Sequence, residues 1–303
     1  MKTLPRALLA CAAACAAVLP ARFAGAHGFV GDRFFPPTIA TDDPFAVDEL
    51  TGPVVSIFKQ PGTPSVWETD TSFEFDKEIL PHFMVGLADD YIYNKPDSQS
   101  GAGGWDDFSV ITKYQLWQND EHEAIISVGL ETDFGGTGTS NVGSENFNTY
   151  SPTFYFGKGF GDLPDSLGVL KPFAITGVLA NTFPNKDDDP NQFQWGFAVE
   201  YSLPYLEDEV EDTGLPHPFK DMIPLVEFSM DTNENRDQRG QTTGEIYPGV
   251  LWDTPYYQLG LEAIVPVNGR SGLHVGAVLQ VEIFIDDLLP QLFGHPLFFG
   301  DSK

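Results

Sequence analysis

Apolar and polar residues alternate over long stretches of the chain, most clearly in residues 66–79. There the even positions are polar and five of the six are carboxylates, whereas the odd positions carry Trp67, Phe73 and Phe75 until Lys77 interrupts them. Because successive side chains of a β-strand point to opposite faces, this period of two predicts a strand with one acidic face and one largely apolar face.

The same alternation recurs further along the chain, in residues 122–134, 192–203, 257–265 and 273–283. These stretches keep their phase for roughly ten residues or more, whereas a strand of a soluble protein runs for about 5–6 residues. A tilted strand that crosses a membrane needs about 9–11 residues. Because no helical periodicity follows the N-terminus, the pattern predicts an all-β protein with strands of membrane length.

The connections between these stretches fall into two classes. Short ones, such as residues 80–81, 118–120 and 253–255, alternate with long polar ones, such as residues 94–104 and 135–146. Short turns on one side and longer loops on the other are typical of outer-membrane barrels. With a first strand near residues 54–58, the sequence predicts a single antiparallel transmembrane β-barrel of about 12 strands over residues 51–285. The connection at residues 206–221 is long for the short-turn side.

The two ends of the chain depart from the alternation. Residues 1–26 combine a basic start, an apolar core and a small-residue site, which predicts a cleaved Sec-type export signal. Residues 27–50 are aromatic and proline-rich, and we expect a periplasmic segment or a plug of the lumen. The spacing of His274, Gly276, Leu279 and Val281 fits the assembly signal of a last barrel strand, so residues 286–303 are expected to form a C-terminal tail.

Composition narrows the possible partners. The export signal contains both cysteines, so a mature chain without it would have neither a disulfide nor a thiolate metal site. The formal net charge is −28, and removing the basic residues of the signal makes it more negative. Such a chain repels nucleic acid. The expected partners are outer-membrane lipids, the barrel-assembly machinery during insertion, and a small solute whose chemical class the sequence does not identify.

Aromatic residues at the predicted strand ends support a membrane location. Tyrosine and tryptophan concentrate where a barrel meets the membrane–water interface. The candidates for these girdles are Tyr91, Tyr93, Trp105, Tyr114, Trp117, Trp252, Tyr256 and Tyr257. They predict an outer-membrane protein of a Gram-negative bacterium. The alternative is a secreted β-sandwich, whose strands also alternate.

The polar phase of the predicted strands supplies the candidate site. An acidic open lumen favours cations, whereas a narrow barrel could fill its interior with paired polar side chains and conduct nothing. Lys158 and Lys171 are further candidates for basic neighbours of these acids. The predicted lumen-lining residues are Glu68, Asp70, Glu74, Asp76, Glu78, Lys113, Glu123, Glu131, Asp133, Glu200, Glu227, Glu262 and Glu282.

Residues 104–138 carry a resemblance to a known family. They combine a strand with Asp107, Lys113 and Tyr114, an acidic turn that ends in His122, and an alternating return strand that leads into a glycine-rich loop. This hairpin resembles the outer-membrane proteins grouped with the phenol-degradation meta-pathway. The resemblance implies an outer-membrane barrel with a role in small-molecule uptake, and it carries over no catalytic residue.

The sequence gives weaker indications of metal binding and of hydrolysis. Oxygen-bearing residues at every second position of residues 231–237 match the spacing of calcium loops, but Arg236 occupies the place of the turn glycine. No histidine lies beside a serine in a lipase-like pattern, so no catalytic residue, cofactor or metal is predicted. The sequence favours passive passage of a solute. A closed structural or adhesive barrel and a hydrolase at the barrel rim remain as alternatives.

Overall fold

The main element of the structure is a closed sheet of long antiparallel strands. The computed structural model describes residues 28–97, 99–236 and 238–299. The strands are β1 (Phe29–Val30), β2 (Arg33–Phe34), β3 (Leu50–Gln60), β4 (Val66–Leu80), β5 (Phe83–Pro96), β6 (Ala102–Trp105), β7 (Ser109–Asn119), β8 (Ala124–Asp133), β9 (Thr149–Gly159), β10 (Phe173–Pro184), β11 (Gln192–Tyr201), β12 (Met222–Asn233), β13 (Thr242–Asp253), β14 (Tyr257–Pro266) and β15 (Gly276–Ile283).

Closure comes from the pairing of the last strand with the first. From β3 onward the neighbours in the sheet follow the order of the chain except at β6, and β15 pairs with β3 in the register Leu279 to Val55. A bulge interrupts β3 between Thr51 and Val54. The predicted all-β barrel of 12 strands is confirmed. Its first strand is longer than predicted, because the bulge hides the alternation at its start.

One barrel position is shared by two strands. The first half of β5 pairs with β7 along residues 83–88, and its second half pairs with β6 along residues 91–94. Between β6 and β7, the Asp107 carboxylate accepts hydrogen bonds from the backbone amides of Thr137, Gly138 and Glu145, at 3.1, 3.0 and 2.7 Å. The interruption therefore anchors the long loop that follows β8.

The two faces of the barrel differ as the alternation predicts. On β4, Asp76 points inward and is 7% exposed, whereas Phe73 and Phe75 point outward and are 41% and 36% exposed. On β14, Leu261 lies across from Leu279 of β15 on the outer face. A broad apolar outer surface is what a barrel presents to lipid.

Exposed aromatic side chains lie at both ends of this apolar surface. Tyr91 and Trp105 pack edge to face at 5.4 Å near the long loops. Trp117 and Tyr257 are exposed near the short turns. Such rings favour the two interfaces of a membrane, where one end of the side chain is apolar and the other is wet.

Helical structure is limited to single turns among the described residues. Leu203–Tyr205 is capped by Ser202, whose side chain accepts a hydrogen bond from the Tyr205 amide at 3.2 Å, and Ile285–Leu288 follows β15. Leu206–Val210, Asp165–Leu170, Phe219–Asp221 and Ser140–Val142 form π or 3₁₀ turns. Single turns leave no periodicity in the sequence, which is why none was predicted. No helix in the described ranges is long and apolar enough to cross a membrane.

The N-terminal segment, residues 28–49, lies inside the barrel at the short-turn end. Val30, Phe35 and Phe45 form one buried cluster with the inward-facing Ile125 and Ala174. Phe34 packs in a second cluster with wall residues Ile223, Leu225, Leu251 and Phe284. The hydrophobic core of the molecule is thus made between this segment and the wall. The predicted export signal lies outside the described residues.

The residues after β15 return to the end of β4. The Leu297 amide donates to the Glu78 carbonyl at 3.0 Å, and the Phe298 amide donates to the Ile79 carbonyl at 2.9 Å. Lys77, the residue that interrupts the alternation of β4, binds the Asp48 carboxylate of the N-terminal segment and donates to the His295 carbonyl at 2.8 Å. Lys77 therefore ties both ends of the chain to one strand.

The lumen as candidate functional site

A buried arginine fixes the N-terminal segment to the short-turn rim. Arg33 is fully buried, and its Nε donates to Oε2 of Glu123 at 3.2 Å. Its Nη1 donates to the Pro172 carbonyl at 3.1 Å, and its guanidinium lies 3.7 Å from the centre of the Tyr205 ring. Charge, hydrogen bonds and a cation–π contact converge on one side chain.

Glu123 completes this arrangement, which we call the rim clasp (Arg33, Glu123 and Tyr205). Its carboxylate also accepts from the Gly161 amide at 2.9 Å and from the Tyr205 hydroxyl at 2.8 Å. A Cβ on Gly161 would lie 2.1 Å from Oε1 of Glu123, so this close approach requires glycine. Burial, together with the Glu123 carboxylate, raises the pKa of Tyr205, so its hydroxyl stays a donor.

The position of Glu123 differs from the prediction. The sequence places it on the lumen face of a strand, whereas it lies in the turn before β8 with a φ of 44°. Its side chain still follows the inward phase of Ile125 and Ser127, since it is 5% exposed and binds the buried Arg33. The predicted basic neighbours Lys158 and Lys171 lie outside the lumen, where they pair with Asp162 and Asp165 at 3.1 and 2.8 Å.

The middle of the N-terminal segment, which we call the tip (residues 37–44), is held by wall side chains from several strands. The Ile39 and Ala40 amides donate to Oε1 of Glu227 at 2.8 and 3.1 Å. On β14, Gln258 donates through Nε2 to the Pro37 carbonyl at 2.7 Å. One wall carboxylate therefore satisfies two backbone donors that would otherwise be buried without a partner.

The opposite wall holds the tip through Lys113. Its Nζ donates to Oδ1 of Asp42 at 3.0 Å and to the Asp43 carbonyl at 2.9 Å, and it lies 4.7 Å from the centre of the Tyr155 ring. The Ser127 hydroxyl donates to the Pro44 carbonyl. The predicted lumen lysine thus bridges the wall and the tip.

Above the tip, toward the long loops, the lumen is hollow and acidic. A cavity of about 320 Å³, which we call the acidic cavity, lies between the tip and the wall of β3, β4, β5, β7, β8 and β15. It is lined by Asp42, Asp43, Glu49, Glu74, Asp76, Asp89, Asp90, Asp107 and Glu131, with Pro37, Thr38, Ile39, Ala40, Thr51, Val54, Ser72, Phe73, Ala88, Ser109, Ile111 and Gln280. The carboxylates come from both the wall and the N-terminal segment.

Two smaller cavities flank the tip on its other sides. One of about 260 Å³ is lined by Glu68, Asp70 and Glu245, and another of about 250 Å³ is lined by Glu131 and Asp231. Ala40 borders all three cavities, so the tip stands where they meet. The upper lumen is therefore divided around one short loop of the N-terminal segment.

The remaining predicted residues lie at the ends of the lumen or deep in its wall. Asp133, near the long loops, accepts from the Ser109 hydroxyl at 2.5 Å, and Glu78 accepts from the His82 amide at 2.8 Å at a short turn. Glu200, Glu262 and Glu282 are 0%, 2% and 0% exposed. The structure thus divides the predicted set between the upper cavities, the tip contacts, a buried group, the two ends of the lumen and, for Glu123, the rim clasp.

Sequence reasoning missed the residues of the N-terminal segment that meet these side chains. Arg33 is the one basic residue of residues 28–49, in a stretch otherwise rich in aromatics and acids. A lone arginine in such a segment was the available signal for an anchoring contact. Asp42 carried no such signal, because its partner Lys113 is 71 residues away.

Comparison with solved structures identifies proteins of similar fold. No family model and no curated protein matches the chain. Among solved structures, an outer membrane channel from Pseudomonas putida F1 aligns with a TM-score of 0.55 at 10% identity, over 82% of this chain and 100% of that one. The chain folds as an outer-membrane β-barrel. Its apolar outer face and aromatic ends agree with a location in the outer membrane.

Two porins show weaker likeness to this barrel. The NanC porin aligns with a TM-score of 0.48 at 12% identity, over 77% of this chain and 98% of that one. The KdgM porin aligns with a TM-score of 0.39 at 12% identity, over 76% of this chain and 98% of that one.

Proposed function

We propose that this barrel is a passive outer-membrane channel for small cationic solutes, closed at its short-turn end by the N-terminal segment. The observation that carries the proposal is the acidic cavity, which lies between the long loops and the tip. No energy source is needed for such passage. The resemblance of residues 104–138 to a family with a role in small-molecule uptake supports transport of a small molecule.

The charge of the upper lumen supports selectivity for cations. Rings of carboxylates in a pore raise the local concentration of cations and exclude anions. Glu68 and Glu74 on β4 and Glu131 on β8 contribute carboxylates to the wall. Lys113 pairs with Asp42 at 3.0 Å, and its single positive charge offsets only part of this negative charge.

The packing of the lower lumen supports a closed resting state. The N-terminal segment fills it with aromatic side chains and is tied to the wall by the rim clasp, Glu227, Gln258 and Lys113. A solute that crosses the barrel therefore requires a displacement of this segment. The same packing also favours the second candidate function, a closed structural barrel.

Single-channel conductance separates these two functions. The refolded protein and a variant lacking residues 28–49 are compared in planar bilayers under a salt gradient. We expect the variant to carry a steady current with a reversal potential on the cation side, and the full protein to be closed for most of the recording. A folded variant that is silent or anion-selective would contradict the channel proposal.

A reversible cross-link provides the control if the deletion prevents folding. Ala46 of the N-terminal segment and Met84 of β5 belong to one buried cluster. With both replaced by cysteine in a chain lacking residues 1–26, a disulfide should hold the segment in place. The oxidised double variant should be silent, and reduction should restore the brief openings of the parent protein, which each single-cysteine variant should show under both conditions. Equal current before and after reduction would contradict a role of the segment as a plug.

A further inference from the structure

We propose that the acidic cavity binds a linear aliphatic diammonium cation, which bridges the barrel wall and the tip. This inference rests on the proposed channel function and adds to it a substrate class and a binding position. The observations that carry it are the two-sided arrangement of carboxylates, a buried carboxylate oxygen without a hydrogen-bond donor, and an ammonium group of the chain that already makes the same kind of bridge.

The carboxylates of the cavity lie on two sides of a hollow. Glu74, Asp76 and Glu131 come from the wall, whereas Asp42 and Glu49 come from the N-terminal segment. None of the described residues that line the cavity is basic. A ligand with positive charge at both ends would meet carboxylates on each side.

Asp76 points to a missing donor at this position. It is 7% exposed, it lines the cavity, and its Oδ1 has no hydrogen-bond partner among the described residues. Burial of a carboxylate oxygen without a donor is costly, so such atoms are normally paired with a donor or a cation. An ammonium group supplies several donors and a positive charge together.

The contact between Lys113 and Asp42 is an internal example of this recognition. The ammonium group of a wall residue reaches across and binds the tip at 3.0 Å. It also donates to the Asp43 carbonyl at 2.9 Å, next to the acidic cavity. A free alkylammonium has the same head group on a similar methylene chain, so it can make equivalent contacts with the carboxylates that Lys113 leaves free.

The shape and the apolar part of the lining favour an organic cation. Ile39, Val54, Ala88 and Ile111 line the cavity between the carboxylates and suit a methylene chain. The cavity measures about 320 Å³, whereas a water molecule occupies about 30 Å³ of the liquid. There is room for a small diamine, whose chain gains from leaving water while its two ends remain charge-paired.

Calorimetric titration of the refolded full mature chain with 1,4-diaminobutane tests this inference. We expect saturable binding of one diamine per chain, and weaker binding of butylamine, which has a single ammonium group. The double variant Glu74→Gln/Glu131→Gln should lose at least about tenfold in affinity, because charge-assisted hydrogen bonds are removed. The matched control Asp187→Asn/Asp188→Asn removes the same charge from an exposed outer loop and should bind within about twofold of the parent.

Several outcomes would overturn the inference. They are absence of binding to folded protein, an equal loss of affinity in the loop control, and affinity for butylamine equal to that for the diamine. Complete competition by Ca²⁺ at equal concentration would also overturn it, because the site would then belong to a metal ion. A cation-selective current from the variant lacking residues 28–49, without diamine binding to the full protein, would leave the channel function standing. Diamine binding without any current, even from the variant lacking residues 28–49, would support the binding site and contradict the channel function.

Discussion

The two halves of the lumen are built from the same strands but are filled differently. In the half near the short turns, inward-facing Met84, Ile125 and Leu251 are apolar and pack against the N-terminal segment. In the half near the long loops, Glu68 and Glu131 line open cavities. The alternation of a strand therefore decides which residues face the lumen, and the inward residue types decide whether that part of the lumen is packed or hollow.

The boundary between the halves is set by the tip. Its backbone amides and carbonyls are satisfied by Glu227, Gln258 and Lys113, which are polar side chains on three different strands of the wall. Below the tip, burial of aromatic side chains supplies stability of about 25 cal/mol per Å² of apolar surface. Above the tip, the N-terminal segment contributes carboxylates to the cavity, and Ile39 packs against a smaller apolar cluster of Phe58, Ile264 and Val278.

The largest expected loss of stability comes from removing Arg33, which anchors the packed half of the lumen. Arg33→Ala leaves Glu123 buried without its charge partner, which should lower the free energy of unfolding by about 3–5 kcal/mol. Urea unfolding in detergent, followed by tryptophan fluorescence, measures the change. The double variant Arg33→Met/Glu123→Gln should recover part of the loss, because no uncompensated charge remains.

A matched control separates the clasp from the loss of a positive charge. Arg270 lies in an exposed loop at the opposite end of the barrel, and Arg270→Ala should change the unfolding free energy by less than about 0.5 kcal/mol. If both alanine variants cost the same, the rim clasp does not hold the N-terminal segment. The difference between the two halves would then have another cause.

A smaller loss of stability is expected when a cavity is made in the apolar cluster that contains Ile125. Ile125 is fully buried between β8 and the N-terminal segment, so Ile125→Ala should cost about 2–5 kcal/mol. Val128 lies on the same strand but on the outer face. Val128→Ala removes a group that faces lipid and should cost less in the same unfolding measurement. Equal costs would mean that the short-turn half is no better packed than the surface.

Whether a feature of this arrangement can be predicted depends on how far apart its interacting residues lie in the sequence. The inward phase of β4 and the closed barrel depend on a local period of two, and both could be predicted from the sequence. The rim clasp joins residues 90 positions apart, and no local pattern pairs them. The tip contacts with Glu227 are also invisible in the sequence, because the donors are backbone amides that every residue has.

The smallest effect on stability, with a clear effect on selectivity, is expected in the open half. Glu68 and Asp70 line the cavity of about 260 Å³ beside β3, away from the aromatic clusters. Glu68→Gln/Asp70→Asn should change the unfolding free energy by less than about 1 kcal/mol, because the amides keep the shape of the side chains and Gln60 can still donate to residue 68. In the variant that lacks residues 28–49, the same pair of changes should shift the reversal potential toward zero.

The selectivity measurement needs a variant of equal charge outside the lumen. Asp187→Asn/Asp188→Asn in the outer loop removes two charges from the exposed surface and should leave the reversal potential nearly unchanged at physiological salt, because charges farther than about 8 Å are largely screened. If the lumen pair destabilises the barrel as strongly as Ile125→Ala, the upper half is a packed polar core and not an open vestibule. If it leaves both stability and selectivity unchanged, cations are selected elsewhere along the lumen, and the residues to neutralise next are Glu74 and Glu131 of the acidic cavity.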